Sequence, residues 1–464
     1  MARRVMQCFV VFGLLSFFST TVATAADKPS DDFLKMILHL IGDPDREFRA
    51  AGLEQIRTSA KGASATQLFA AQLTNLDAAG QIALLTALGD RGDAAARPEV
   101  LELLSSSKDE MVRAAALKSL GGIGGDGDLP LLMKALSGGS GVEQAAARRS
   151  LVQLPGSTVS NALAAEIKSS SNADAKAALI DVLATRRATD ELPTLVTATV
   201  DENGQVRSAA MSALGQIGRP EQIAPMLPGV LKASRGGERD HAERNVAMIC
   251  ARIDNEDQRG TKLIEALDTI PAADRDELLP LVGRVGGKKL IGFVGDIASE
   301  SDPARRKFGI DALSKWPDAS VADKLLEIAN MTTDPVERGQ AFQGYVKIAA
   351  SRDNRSDRQR LDRMKEAMKA ARTPEEQTLV INRTRTAYDV EALRFLLPFL
   401  DQPQFAQLAC ETIVEIAHHR EVRDPNKAEF DKALDRVIEA SKDPVVVDRA
   451  QRYKRGETWE RPKK

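Results

Sequence analysis

Asp109-Glu110-Met111-Val112-Arg113-Ala114-Ala115-Ala116-Leu117-Lys118-Ser119-Leu120-Gly121-Gly122-Ile123-Gly124 is the stretch that decides how this chain folds. A second stretch, Gln205-Val206-Arg207-Ser208-Ala209-Ala210-Met211-Ser212-Ala213-Leu214-Gly215-Gln216-Ile217-Gly218, repeats it almost letter for letter. Asp43-Pro44-Asp45-Arg46-Glu47-Phe48-Arg49-Ala50-Ala51-Gly52-Leu53 is a weaker copy. In this register Arg49, Arg113, Arg207, Arg306 and Arg338 are equivalent, with separations of 64, 94, 99 and 32 residues. These are close to multiples of a period of about 32, which marks a stacked repeat.

Each repeat reads as two helices. An acid or an Asp-Pro pair opens the first, as at Asp302-Pro303 and Asp334-Pro335, because Pro is tolerated in a first turn and acids favour the positive end of a helix. Apolar residues then recur three and four apart, as at Val206, Ala209, Ala210, Ala213 and Leu214. Gly215 and Gly218 end that helix, and Ile223, Met226, Leu227, Val230 and Leu231 mark its partner. Neither helix can bury its apolar stripe alone, so stacking on neighbouring pairs is required. Small residues in the first helix let successive layers approach closely.

The pattern D-x-x-V-R-x-x-A-x-x-x-L-G-x-I-G resembles HEAT repeats, in particular the subclass shared with phycobilisome-lyase-type HEAT-like proteins. The match is close at 109–124 and 202–218, recognisable at 43–58, 301–316 and 334–349, and periodic elsewhere. The expected fold is all-α: an α-solenoid of stacked antiparallel helix pairs, a HEAT-like superhelix of about twelve pairs over residues 26–442. The resemblance implies an Arg–Asp ladder between adjacent repeats, with Asp109, Arg113 and Arg207 as structural members.

The chain has 464 residues, 64 Lys+Arg against 66 Asp+Glu, and only 4% aromatics. Near-zero net charge argues against a chain built as a whole to hold nucleic acid. Arg3-Arg4, an apolar run over residues 5–18 and Ala23-Thr24-Ala25 form the pattern of a secretory signal peptide, residues 1–25, cleaved after Ala25. That run is shorter than the ~20 residues a membrane-spanning helix needs. No integral membrane span is expected after cleavage, and the mature net charge becomes −4. The expected location is therefore the periplasm or the exterior. Cys250 and Cys410 lie in helical apolar patterns and read as small buried side chains.

Two segments are rich in base. Ser351 to Arg372 holds eight Lys+Arg against four Asp+Glu, with Leu361, Met364 and Met368 marking one apolar face. It reads as a lengthened repeat with an exposed basic face, which makes Arg355, Arg358 and Arg360 candidates for partner binding. Residues 443–464 read as a basic C-terminal cap or tail with Tyr453 and Trp459.

Motifs for chemistry are sparse. Gly122-Ile123-Gly124-Gly125-Asp126-Gly127 matches G-x-G-x-x-G, but it follows a helix rather than a strand and falls where each repeat turns. Gly283-Arg284-Val285-Gly286-Gly287-Lys288 lacks one residue and the Ser or Thr of a phosphate loop. The histidines are His39, His241, His418 and His419; adjacent His418 and His419 diverge by about 100° on a helix. Glu415 and Glu421 lie near enough in sequence for a metal site to be conceivable, though solvated surface is the simpler reading. His241, between Asp240 and Glu243, reads as a solvated helix start. No cofactor and no catalytic residue is expected.

The expected function is an exported scaffold or binding module that meets protein partners along its repeat surface. The alternative, implied by the resemblance alone, is an accessory factor or lyase-like enzyme.

Overall fold

In the computed structural model, which describes residues 30–459, the chain is all-α; among those residues there is no strand. Two compact units divide after Gly156. The expected signal segment, residues 1–25, lies outside the described residues, and among those described no helix is long and apolar enough to cross a membrane.

The first unit holds α1 (Asp31–Ile41), α2 (Arg46–Thr58), α3 (Ala63–Ala70), α4 (Ala78–Arg91), α5 (Arg97–Ser106), α6 (Glu110–Ile123), α7 (Leu129–Gly138) and α8 (Gly141–Gln153). They form four pairs, α1 with α2 through α7 with α8, and α2, α4, α6 and α8 stack as one layer. The second unit repeats the plan. Its corresponding layer includes Ala173–Thr185, Gly204–Ile217, Gly237–Cys250, Leu279–Val285, Pro303–Ser314, Pro335–Ala349 and Pro374–Thr384, then Ala406–Ala417 and Pro444–Lys454. Each unit is thus an α-solenoid of stacked helix pairs. One detail differs from the sequence reading. Helix Ile223–Lys232 packs mainly on Gly237–Cys250, which follows it, and only slightly on Gly204–Ile217, which precedes it. A 3-10 turn, Pro220–Gln222, separates it from the earlier helix.

α6 shows why these residues form these helices. Asp109 is its N-cap, with Oδ1 accepting from the amides of Met111 at 2.8 Å and Val112 at 3.2 Å. This satisfies donors that would otherwise be orphaned and is worth about 1 kcal/mol. Gly124 ends the helix, its amide donating to Leu120 O. Val112, Ala116, Leu117, Leu120 and Ile123 are buried, and each of the larger aliphatics contributes roughly 2 kcal/mol.

Glycine and alanine set the spacing of the layer. A Cβ on Gly122 would lie 2.2 Å from Gly89 O of α4, and one on Gly283 would lie 1.9 Å from Ala312 O. Backbone meets backbone there, which only glycine permits. Gly122 is therefore a packing residue inside α6, and Gly124 is its cap. The following turn is filled from within the chain: Asp128, 2% exposed, accepts from Arg97 Nη2 at 2.7 Å and from the Gly125 amide at 3.0 Å.

Helix Asp357–Ala370 buries Leu361 and Met364, with Met368 partly buried beside them. Pro444–Lys454 stacks on Ala406–Ala417 and buries Tyr453, with Trp459 packed against the same core.

Candidate functional site

The repeat arginines make a ladder, but its acids are not the opening aspartates. Arg113 Nε donates to Glu143 Oε1 at 2.6 Å, 30 positions later. Arg207 Nε donates to Glu238 Oε1 at 2.8 Å, 31 positions later. Arg306 reaches Glu337 at 3.0 Å. Arg338 reaches Glu376 at 3.0 Å, 38 positions on, because the Ser351–Arg372 region lengthens that repeat. Asp109 stays within its own repeat as a helix cap, since its short side chain is held by two amides of its own first turn. The acceptor in the next repeat sits instead in that helix's first turn, as Glu143 in a capping box with Ser140.

The exposed basic face expected at 355, 358 and 360 does not form. Arg360 is buried, donating to Arg355 O and to Asp357 Oδ1, both at 2.7 Å. Arg355 is paired with Asp353 at 2.8 Å and also donates to Ile348 O. Arg358 is exposed, but lies 3.5 Å from Glu391 and 3.8 Å from Asp362. The acids interspersed in that segment neutralise its bases, and the loop carbonyls draw the guanidinium groups inward.

His418 and His419 are not brought to a common point. His418 Nδ1 lies 3.0 Å from Tyr453 Oη, while His419 stacks on Tyr388 with ring centroids 3.7 Å apart. Glu415 is taken by Arg449 at 2.7 Å. Among the described residues no group of three or more His, Cys, Asp or Glu is arranged to hold a metal ion.

The side chains that do converge lie in the second unit. Glu243 is 2% exposed on helix Gly237–Cys250. Its Oε2 accepts from Arg284 Nε at 2.9 Å and from Lys315 Nζ at 3.2 Å. Burial pushes the Glu243 carboxyl above its usual range, against the pull of Lys315. Arg284 also pairs with Asp240, and Lys315 with Asp311. Asp240, Glu243, Asp311 and Lys315 border a cleft of about 400 Å³ that Arg239 and Glu277 also line. His241, half-buried and 3.0 Å from Ser212 Oγ, is not the solvated residue expected; burial lowers its pKa. A signal for Glu243 was present in the sequence. It lies three and seven residues before Val246 and Cys250, on their inward face.

A second groove, of about 660 Å³, lies between Pro335–Ala349 and Pro374–Thr384. Gln343, Lys347, Asn382 and Arg383 line it, with Glu375 and Glu376 on its acidic side. Lys347 Nζ donates to Ser314 O at 3.0 Å, and burial first, then Arg284 and Lys315, lowers its pKa. Both grooves mix cations and carboxylates, and the second adds the amides of Gln343 and Asn382. Such a lining opposes a polyanion and offers paired donors and acceptors to a polypeptide.

Comparison with known proteins bears on the fold. No curated protein matches the chain. Among solved structures it is similar to Kap121p (TM-score 0.46, 12% identity, covering 91% of this chain) and to Kap121p bound to Pho4p (0.47, 12%, 90%). Kap121p bound to the SUMO protease Ulp1p is similar too (0.47, 10%, 92%). The chain spans 56% of the length of each of these three. Residues 66–152 and 160–247 match the family model of HEAT repeats, so the periodic arginines and stacked pairs of those two stretches are HEAT repeats.

Proposed function

We propose that the protein is an exported scaffold that binds protein partners along the stacked first helices of its second unit. The observation that carries this is the pair of charge-balanced grooves beside Glu243 and Lys347. Stacked repeats present side chains from consecutive helices at regular intervals, which suits an extended chain. The exposed side chains of Gln343 and Arg383 stand ready for contact. Export rests on the pattern of residues 1–25, and binding needs no cofactor and no catalytic step.

Site-specific photo-crosslinking tests the surface. A photoreactive residue at Gln343 is expected to capture a partner from the protein's own compartment. The same probe at exposed Met331, on the other helix layer, is expected to capture far less. Equal capture at both positions would remove the groove as the contact. N-terminal sequencing of the mature protein tests export, with Ala26 as the expected first residue.

A further inference from the structure

The ladder lacks one acid, the one that would follow Arg49. Three of the rungs share one anchoring geometry, whereas Arg338 is held instead by Ala329 O. Arg207 Nη1 donates to Asp201 O at 2.8 Å and Glu202 O at 2.9 Å, six and five positions upstream. Arg306 Nη1 does the same to Glu300 O at 3.0 Å and Ser301 O at 2.9 Å. Arg113 Nη1 reaches Ser107 O, six positions upstream, at 3.2 Å. With that nitrogen fixed, the Nε edge meets a Glu in the first turn of the next first-layer helix.

Arg49 keeps the anchor. Its Nη1 donates to Asp43 O at 2.8 Å and Pro44 O at 2.6 Å, again six and five positions upstream. In the next first-layer helix, α4, the N-cap is Asp77, which puts Gly80 at the position Glu143 occupies in α8 and Glu337 in Pro335–Ala349. Among the described residues, Nε and Nη2 of Arg49 make no hydrogen bond. The space that an acid would fill is open: a groove of about 560 Å³ lined by both Arg49 and Gly80.

We propose that this groove binds an external monocarboxylate, with the Nε–Nη2 edge of Arg49 as its fork. A guanidinium edge matches a carboxylate with two parallel hydrogen bonds, and an anchored one loses little freedom on binding. The rim narrows the class of ligand. Asp43 and Asp77 also line the groove, each accepting a backbone amide at 2.8 Å, and they balance Arg49 and Arg46, so the lining has no net positive charge to draw a polyanion. Leu53 and Leu76 supply apolar walls for a short aliphatic segment. The carboxylate is that of a polypeptide, either its C-terminus or an acidic side chain next to an aliphatic residue. This inference stands apart from the scaffold reading, which rests on the grooves of the second unit.

Fluorescence anisotropy with two labelled peptides distinguishes the sources. One is Ala-Ala-Leu with a free C-terminus; the other is Ala-Leu-Glu-Ala with an amidated C-terminus. At least one is expected to bind the whole chain saturably and to be displaced by acetate more effectively than by chloride. Arg49→Gln is expected to weaken binding about tenfold or more, the scale of a lost charged bidentate pair. Gly80→Glu supplies the missing acid from within, so it should abolish binding and raise the thermal midpoint. Gly80→Ala, which adds the Cβ without the carboxylate, should change affinity by less than about threefold. A Cβ at Gly80 lies 3.0 Å from Asp77 Oδ1 and Leu76 Cβ, so should Gly80→Glu fail to fold, Arg49→Gln decides. Absence of binding by both peptides, or wild-type affinity in Arg49→Gln, would overturn the proposal.

Discussion

Arg207 and Glu238 join two consecutive repeats: Nε donates to Oε1 at 2.8 Å across 31 positions, while Nη1 holds two carbonyls of the Arg207 repeat. One side chain thus ties a loop to its helix and that helix to the next. Arg207 is 7% exposed, so its loss leaves Glu238 Oε1 and two carbonyls without this donor in a poorly hydrated seam, while the Ser234 amide still holds Glu238 Oε2. Arg207→Ala is expected to destabilise the protein by about 3 kcal/mol, the low end for losing one partner of a buried pair because Glu238 is only partly buried. Urea denaturation measures the total. Hydrogen exchange should show the loss concentrated in Gly204–Ile217 and Gly237–Cys250, because repeat stability is carried by nearest neighbours.

The ladder also sets a direction for pH dependence. The Ser140 amide and then Arg113 hold Glu143 below the ordinary carboxylate range. Burial pushes Glu238 upward, but Ser234 and Arg207 together bring it below its ordinary value. An acid with a lowered folded pKa contributes stability above its unfolded pKa, and that contribution is lost as pH falls through the folded value. Stability is therefore expected to decline as pH drops below about 4.5. A Glu143→Gln/Glu238→Gln variant should show a shallower decline in chemical denaturation curves between about pH 5 and pH 3. An unaltered slope would mean other carboxylates govern acid unfolding.

Two glycines forecast opposite outcomes for one substitution. A Cβ on Gly283 would meet Ala312 backbone atoms at 1.9, 2.6 and 2.8 Å, and these cannot swing aside. Gly283→Ala should cost about 1–3 kcal/mol through overpacking. Gly295, inside helix Lys288–Ile297, has nothing within 4 Å of its Cβ position. Gly295→Ala should stabilise by about 0.5–1 kcal/mol through helix propensity. Thermal unfolding of the two variants side by side checks both signs.

Cys250 and Cys410 are free and buried. Burial pushes Cys250 up to about 12 and Cys410 up to about 11, which leaves little thiolate to react near neutral pH. Iodoacetamide should leave both peptides unmodified in the native state and label them only after denaturant unfolds their repeats. Rapid labelling of the Cys250 peptide in buffer would show that its layer opens readily.

The periodic features of this protein were legible because they are local. Asp109 as a cap, Val112 and Leu120 as inward residues, and Gly124 as a stop follow from spacing along one helix. The ladder was legible only by half. The phase of Arg113 and Arg207 shows in the sequence, whereas Glu143 and Glu238 lie in repeats that have lost the Val-Arg landmark. Which first-turn residue reaches back depends on how far one helix slides against the next.

The basic segment shows the opposite failure. Composition counts Arg355, Arg358 and Arg360 as surplus charge, but Asp353, Asp357, Asp362 and Glu391 neutralise them in place. Linear charge density does not say which carbonyls and carboxylates a side chain will meet.

By itself the sequence determined the all-α class, the repeat period and the helix ends, since these depend on residues three to six apart. Tertiary structure alone decided that Glu243 meets Arg284 and Lys315, residues 41 and 72 positions away. It alone decided that Arg49 and Gly80 line one groove. The physical reason is the same in both cases. Side-chain pairing between stacked helices depends on their axial offset, which the packing of glycine and alanine against neighbouring backbone sets.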